Sequence, residues 1–176
     1  MYTYCLFCES GKSDYVAYAA RCSFGCRTLS AKQIQHTWSK GKMVNRVREL
    51  FPGYLFLYSD TPMEMSYCLR LDGVIRGLHT PGGKYELRGS DEAFAQLLRE
   101  TKGVIGKTRV IRTGGRLEIS PDAFKGVDVR ILKVDHRASR MQVEFVFIHE
   151  HIRTWLEYEI DSEQETEQET EETAPD

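Results

Sequence analysis

Apolar and polar positions alternate at the start of the chain. Tyr2, Tyr4 and Leu6 fall on one side of an aromatic and β-branched run, which predicts a strand over residues 2–8, broken by Gly11-Lys12-Ser13-Asp14. The period then changes. Tyr15, Val16, Ala19, Ala20 and Phe24 recur at three- and four-residue spacing and predict a helix, capped by Ser13 or Asp14 and closed by Gly25. A strand over 29–38, a basic loop around Ser39-Lys40-Gly41-Lys42 and a strongly hydrophobic strand over 50–58 read as a β-hairpin with a long arm. Asp60-Thr61-Pro62 opens a short helix over 63–71 that Asp72-Gly73 ends. A short strand over 74–78 and a turn at Pro81-Gly82-Gly83 follow. Ser90-Asp91-Glu92 then caps a helix whose apolar face is Phe94, Leu97 and Leu98.

The resulting order, β-α-β-β-α-β-α, fits a ferredoxin-like α+β layer: an antiparallel sheet with helices on one face, over residues 1–100. A linker over 101–112, with Gly103 and Gly106, leads to a stretch without helical periodicity. There, strands centred on 116–119, 127–134, 142–148 and 152–156, with turns at Ser120-Pro121-Asp122 and His136-Arg137-Ala138-Ser139, predict a small β-barrel over 113–160.

Charge changes the picture at the C-terminus. Residues 161–176 carry eight acids and no base, so the remainder holds 18 acids against 24 bases, a cationic excess consistent with a nucleic-acid surface. The tail has too few apolar groups to offset its ordering entropy and is expected to be disordered. With no basic leader before the first apolar run and no apolar stretch near the ~20 residues of a membrane span, a cytoplasmic, soluble protein is expected.

The five cysteines, Cys5, Cys8, Cys22, Cys26 and Cys68, are an odd set that reads as free thiols. Cys5-x2-Cys8 and Cys22-x3-Cys26 have zinc-like spacing. However, Cys5 and Cys8 point to opposite faces of the predicted strand, and no Gly or Pro turn lies between them. Gly106-Lys107-Thr108 lacks the first glycine and preceding strand of a phosphate-binding loop. His149-Glu150-His151 alternates in a predicted strand and sets two imidazoles on one face without an evident third ligand. No nucleophile motif or carboxylate pair is present, so neither an enzyme nor a cofactor or metal is expected.

The segment Arg46-Val47-Arg48-Glu49-Leu50-Phe51-Pro52-Gly53-Tyr54-Leu55-Phe56 resembles the signature of the NusG N-terminal (NGN) domain. The Tyr-rich opening strand ending in Gly11-Lys12, and Gly73-Val74-Ile75-Arg76, are similar to that family too. Phe124-Lys125-Gly126, Lys133-Val134-Asp135 and Arg140-x-x-Val143 resemble the KOW motif of the SH3-like barrel that forms its second domain, with Asp122-Ala123 in place of the usual Gly-Pro and Val129 at the usual second Gly. Asp91-Glu92-Ala93-Phe94, Gly103-Val104-Ile105-Gly106 and Val134-Asp135-His136-Arg137 are similar to specialised LoaP-type antiterminators. The resemblance spans nearly all of residues 1–160.

It implies a monomeric transcription elongation or antitermination factor whose first domain docks on the clamp helices of RNA polymerase and suppresses pausing. The barrel would recruit a ribosomal or termination factor. A strand reading Phe51, Tyr54, Leu55, Phe56, Leu57, Tyr58 has more large apolar groups than one helix layer buries, which leaves a face for a partner. Tyr4, Phe51, Pro52, Tyr54 and Phe56 are the polymerase-binding candidates, against the plainer reading that the rings fill the core. Met63, Met65 and Tyr67 are candidates for a second polymerase contact, or core. Lys12, Arg21, Arg27, Lys40, Lys42, Arg70 and Arg76, with Arg46 and Arg48 beyond the basic loop, are candidates for non-template DNA or a leader RNA hairpin. The rival is a stand-alone KOW-type RNA-binding module without polymerase contact. A barrel refolded as a helical hairpin is disfavoured by Val127, Val129, Val143 and Val146.

Overall fold

A computed structural model describes residues 1–80 and 82–161; Pro81 and the acidic tail from Ser162 lie outside the described residues. The first unit opens with strand β1 (Tyr2–Cys8), helix α1 (Ser13–Phe24) and strand β2 (Arg27–Leu29). Strands β3 (Lys32–Ser39) and β4 (Lys42–Glu49) form an arm, followed by β5 (Tyr54–Ser59), α2 (Met65–Cys68), β6 (Val74–Gly77) and α3 (Gly89–Glu100). β7 (Val104–Ile105) and β8 (Thr108–Thr113) come next. β9 (Arg116–Ile119), β10 (Val129–Asp135), β11 (Arg140–Phe147) and β12 (Glu150–Ile160) complete the chain.

The first sheet is antiparallel in the order β2-β5-β1-β6. Its helices do not share one face, as the ferredoxin-like reading expected. Tyr4, Leu6, Leu55 and Leu57 pack with Val16 and Ala20 of α1 and Met65 and Cys68 of α2, whereas Cys5, Phe56 and Tyr58 pack with Phe94, Ala95 and Leu98 of α3. The cause is β5 itself, which carries large apolar groups on both faces, so each face must be covered. Cys5 and Cys8 fall on opposite sides of the sheet as the alternation requires, and burial pushes the Cys8 and Cys68 thiols to about 11, which leaves them neutral and inert.

The hairpin also differs from expectation. β3 pairs with β4, not with the 50–58 strand, through a two-residue turn in which Lys40 and Gly41 both have positive φ. Pro52-Gly53 makes a turn before β5, which is a central strand. The expected linker, 101–112, contains two strands: β7 extends the arm by pairing parallel with β3, and β8 enters the next sheet. That sheet runs β10-β11-β12-β8-β9, and β9 approaches β10 so that it curls nearly closed. Val110, Met141, Val143, Phe145 and Leu156 fill its interior.

Candidate functional site

The aromatic face of β5 is covered. Phe51, Tyr54 and Phe56 are buried, at 1%, 8% and 0% exposure, and the covering groups come from the barrel-like sheet. Phe51 stacks on Phe94 at 4.8 Å and meets Phe145 edge-on at 5.3 Å. Phe147 lies over Phe56 at 5.4 Å, over Phe94 at 5.9 Å and over Tyr54 at 6.2 Å. Phe124 continues the cluster through Phe145. Edge-to-face and offset geometries of this kind add ~0.5–1.5 kcal/mol per pair beyond area burial.

A polar rim surrounds these rings. Tyr54 donates its hydroxyl to Glu150, which also holds the Arg76 guanidinium; Arg76 in turn lies 5.5 Å over the Phe7 ring. Burial, then the bond to Glu150, raises the Tyr54 phenol well above its usual range. The residues expected to cap α3 are otherwise employed. Arg88 is the N-cap and makes no side-chain capping bond, while Asp91 Oδ1 accepts the Ile148 N–H at 2.9 Å and Ser90 Oγ accepts the Asp128 N–H at 2.6 Å. A docked surface offers these acceptors fixed donors, which outcompetes the helix's own solvated first turn. Burial raises the Asp91 carboxyl above its ordinary value despite the Ile148 N–H.

On the other side, His36 of the arm donates its backbone N–H to Glu157 of β12 at 2.8 Å, with its ring Nδ1 at 2.7 Å. Gln33 is oriented to donate to the Trp155 carbonyl at 2.9 Å and accept the Glu157 N–H at 3.1 Å.

Two expectations need correction. Tyr4 does not join Phe51, Tyr54 and Phe56: it lies on the opposite face, and its hydroxyl accepts the Met63 N–H at 3.0 Å. The period-two alternation separates Tyr4 from β1's Cys5, whose partner is Phe56. The open groove expected at the four rings is absent, because a further aromatic layer from the same chain fills it. Pro52 remains exposed at the margin.

The predicted cationic residues are spread over several elements, and some are already engaged. Lys12 is paired with Glu9 at 2.9 Å and Asp72 at 3.5 Å, and the bond to Glu9 raises its ammonium above the ordinary value. Arg76 is engaged by Glu150, and Arg70 sits 6.0 Å over Tyr67. Arg21 lines a shallow hollow with Lys32 and Lys102, Arg27 is exposed on β2, and Lys40 and Lys42 stand at the tip of the arm. Met65 is core and Met63 packs against that core, while Tyr67 is 59% exposed. His149 lies in a turn rather than a strand, so the pair of imidazoles on one strand face does not form. Among the described residues, no group of three His, Cys, Asp or Glu side chains is placed to hold a metal, and no helix is long and apolar enough to cross a membrane.

Sequence reasoning missed Phe94, Phe145 and Phe147 as partners of Phe51 and Phe56. The usable signal was the surplus of apolar groups on β5 together with Phe145-Val146-Phe147, a second strand with large groups to bury.

No family model matches the sequence, and no curated protein matches it. Among solved structures, the fold is similar to one of Thermotoga maritima NusG that concerns domain interaction in that protein. The TM-score is 0.50 at 14% identity, over 89% of this chain and 93% of that one. The chain has a NusG-like fold.

Proposed function

We infer that this NusG-like protein is a transcription elongation factor that docks on the clamp helices of RNA polymerase through Phe51, Tyr54 and Phe56, after its own barrel has left that face. The observation that supports this reading is the origin of the cover. Phe147 touches only rings belonging to the first unit, and the surrounding bonds, Tyr54 to Glu150, Asp91 to Ile148 and Ser90 to Asp128, all run between the two units.

Release of the barrel exposes a contiguous aromatic face with Pro52 at its margin, and a pair of apolar helices is a partner able to cover it again. The bound factor suppresses pausing by favouring the forward state of the enzyme, and ~1.4 kcal/mol of differential affinity changes a rate tenfold. In this reading Lys12, Arg21, Arg27, Lys40, Lys42, Arg70 and Arg76 meet non-template DNA or a leader RNA hairpin, and antitermination of the LoaP kind is the specialised form.

The test is capture of a clamp-helix fragment by the full chain. Wild type should bind weakly, the doubly substituted Glu150→Ala/Phe147→Ser at least tenfold more tightly, and addition of Tyr54→Ala should remove the gain. A released variant that binds the fragment no better than wild type overturns the reading and favours a stand-alone RNA-binding module.

A further inference from the structure

Between the β3/β4 arm and the barrel lies a cleft of about 500 Å³ whose walls come from both units. Its size is that of an ordinary ligand site. Three cations line it: Lys107, between β7 and β8, Arg137, in the turn before β11, and Arg140, the first residue of β11. Lys107 and Arg137 are exposed, and none of the three has an ion-pair partner among the described residues. Arg140 is half-buried, and its Nε is a buried donor without an acceptor, a demand that a ligand oxygen meets.

Glu157 is the one carboxylate in the lining, and it is already committed. Burial pushes its carboxyl up, but the two His36 bonds and the Arg140 charge outweigh that and hold it below its ordinary value. The lining thus keeps a cationic surplus. Beside these charges Met43 of the arm is 53% exposed, an apolar surface that shares the lining with Ala138 and the Tyr158 ring.

We propose that this cleft binds single-stranded nucleic acid, with Lys107 and Arg137 on its phosphates, Arg140 donating from the floor and Met43 against a base. Cations next to an apolar surface suit a strand whose bases are free to turn a face to the protein. A duplex keeps those faces stacked. The residues are separate from the candidates at Lys12, Arg21, Arg70 and Arg76; the site belongs to the state with the barrel docked, and the argument for it does not rest on the polymerase reading.

The test is fluorescence anisotropy of the full chain with labelled ten-nucleotide single-stranded RNA, single-stranded DNA and duplex DNA. Lys107→Ala/Arg137→Ala should weaken single-strand binding at least tenfold. It should also lower the slope of log affinity against log salt by ~1.4, at ~0.7 per lost phosphate contact. Arg140→Lys keeps the charge and removes Nε, and should weaken binding severalfold, whereas Arg116→Ala, at the far end of the β8/β9 hairpin, should leave it unchanged. Whichever single strand binds more tightly, with that affinity lost in the double variant, identifies the ligand. Binding within twofold of wild type in the double variant, or duplex bound as tightly as single strand, overturns the proposal. Clamp-fragment capture by the same variants should be unaffected, so failure of the two readings is separable.

Discussion

Tyr54 and Glu150, 96 residues apart, share a hydrogen bond across the junction of the two units, and Glu150 holds Arg76 with its other oxygen. This carboxylate is the one side chain in the aromatic rim that bonds two residues of the first unit at once. Glu150→Ala removes both bonds and leaves the Tyr54 hydroxyl at a half-open edge. A bond to a charged partner contributes about 1.5–3 kcal/mol, and exposure of the Arg76 pair places the net loss at the lower end. The Ile148 and Asp128 amides, whose acceptors lie across the junction, should therefore exchange with deuterium at least tenfold faster in the variant. Amides within the β11/β12 ladder should keep their protection.

Phe147 gives a sharper test of the same junction. It packs on Phe51, Tyr54, Phe56 and Phe94, all outside its own sheet, whereas Phe145 also packs on Phe124 in the turn segment between β9 and β10. Phe147→Ala should open the junction and increase binding of an apolar dye while the near-native strand content persists. Leu6→Ala, packed with α1 and α2 on the opposite face of the first sheet, should instead cost ~2–5 kcal/mol of global stability, read as a lower urea midpoint. If both variants lose stability equally without dye binding, the junction is a single fused core.

The local elements were legible where a segment has one face to bury. β9 to β12 and α3 follow the predicted period, because Phe94 and Leu98, or Val143 and Phe145, point inward at regular spacing. β4 was not legible. Lys42 to Glu49 is exposed on both faces, so its cations and lone apolar groups carry no buried stripe and read as a loop, while the apolar Leu50 and Phe51 pulled the strand assignment forward. The junction was half legible. The surplus of rings on β5 implied a partner, but nothing local says that the partner is Phe145 and Phe147, because docking joins segments about ninety residues apart and no period encodes it.

The turn joining β11 to β12 places Ile148 at φ 44° and His149 at φ 63°, a conformation that glycine or asparagine adopts readily and a β-branched residue resists. Asp91 and the packed aromatic layer hold Ile148 there. His149 is exposed, so His149→Gly relieves strain without loss of packing. The left-handed cost of ~1–2 kcal/mol, less the extra chain entropy of glycine, predicts a gain of up to ~1 kcal/mol. Differential scanning calorimetry should show a melting temperature raised by about 2–4 °C.

Glu144 supplies a pH test confined to the barrel-like sheet. It is the direct cross-strand neighbour of Arg130 on β10 and of Arg153 on β12. Both guanidiniums reach it through Nε at 2.8 Å, and the His151 ring lies at 3.2 Å, so two arginines and an imidazole roof the carboxylate, which has no exposed surface of its own. Bonds from Arg153, then from Arg130, hold its carboxyl down at about 2 against an ordinary value of 4.5. A folded value below the unfolded one means that this stabilisation is complete above pH 4.5 and is lost as pH falls from there toward 2. Urea midpoints taken across that window should fall steeply for wild type, and Glu144→Gln should flatten the fall while being less stable than wild type at neutral pH. A variant whose midpoint tracks wild type across the whole acid range would show that the cation roof contributes nothing to the fold, and 1 M salt should weaken the wild-type difference because both arginines are largely exposed to solvent.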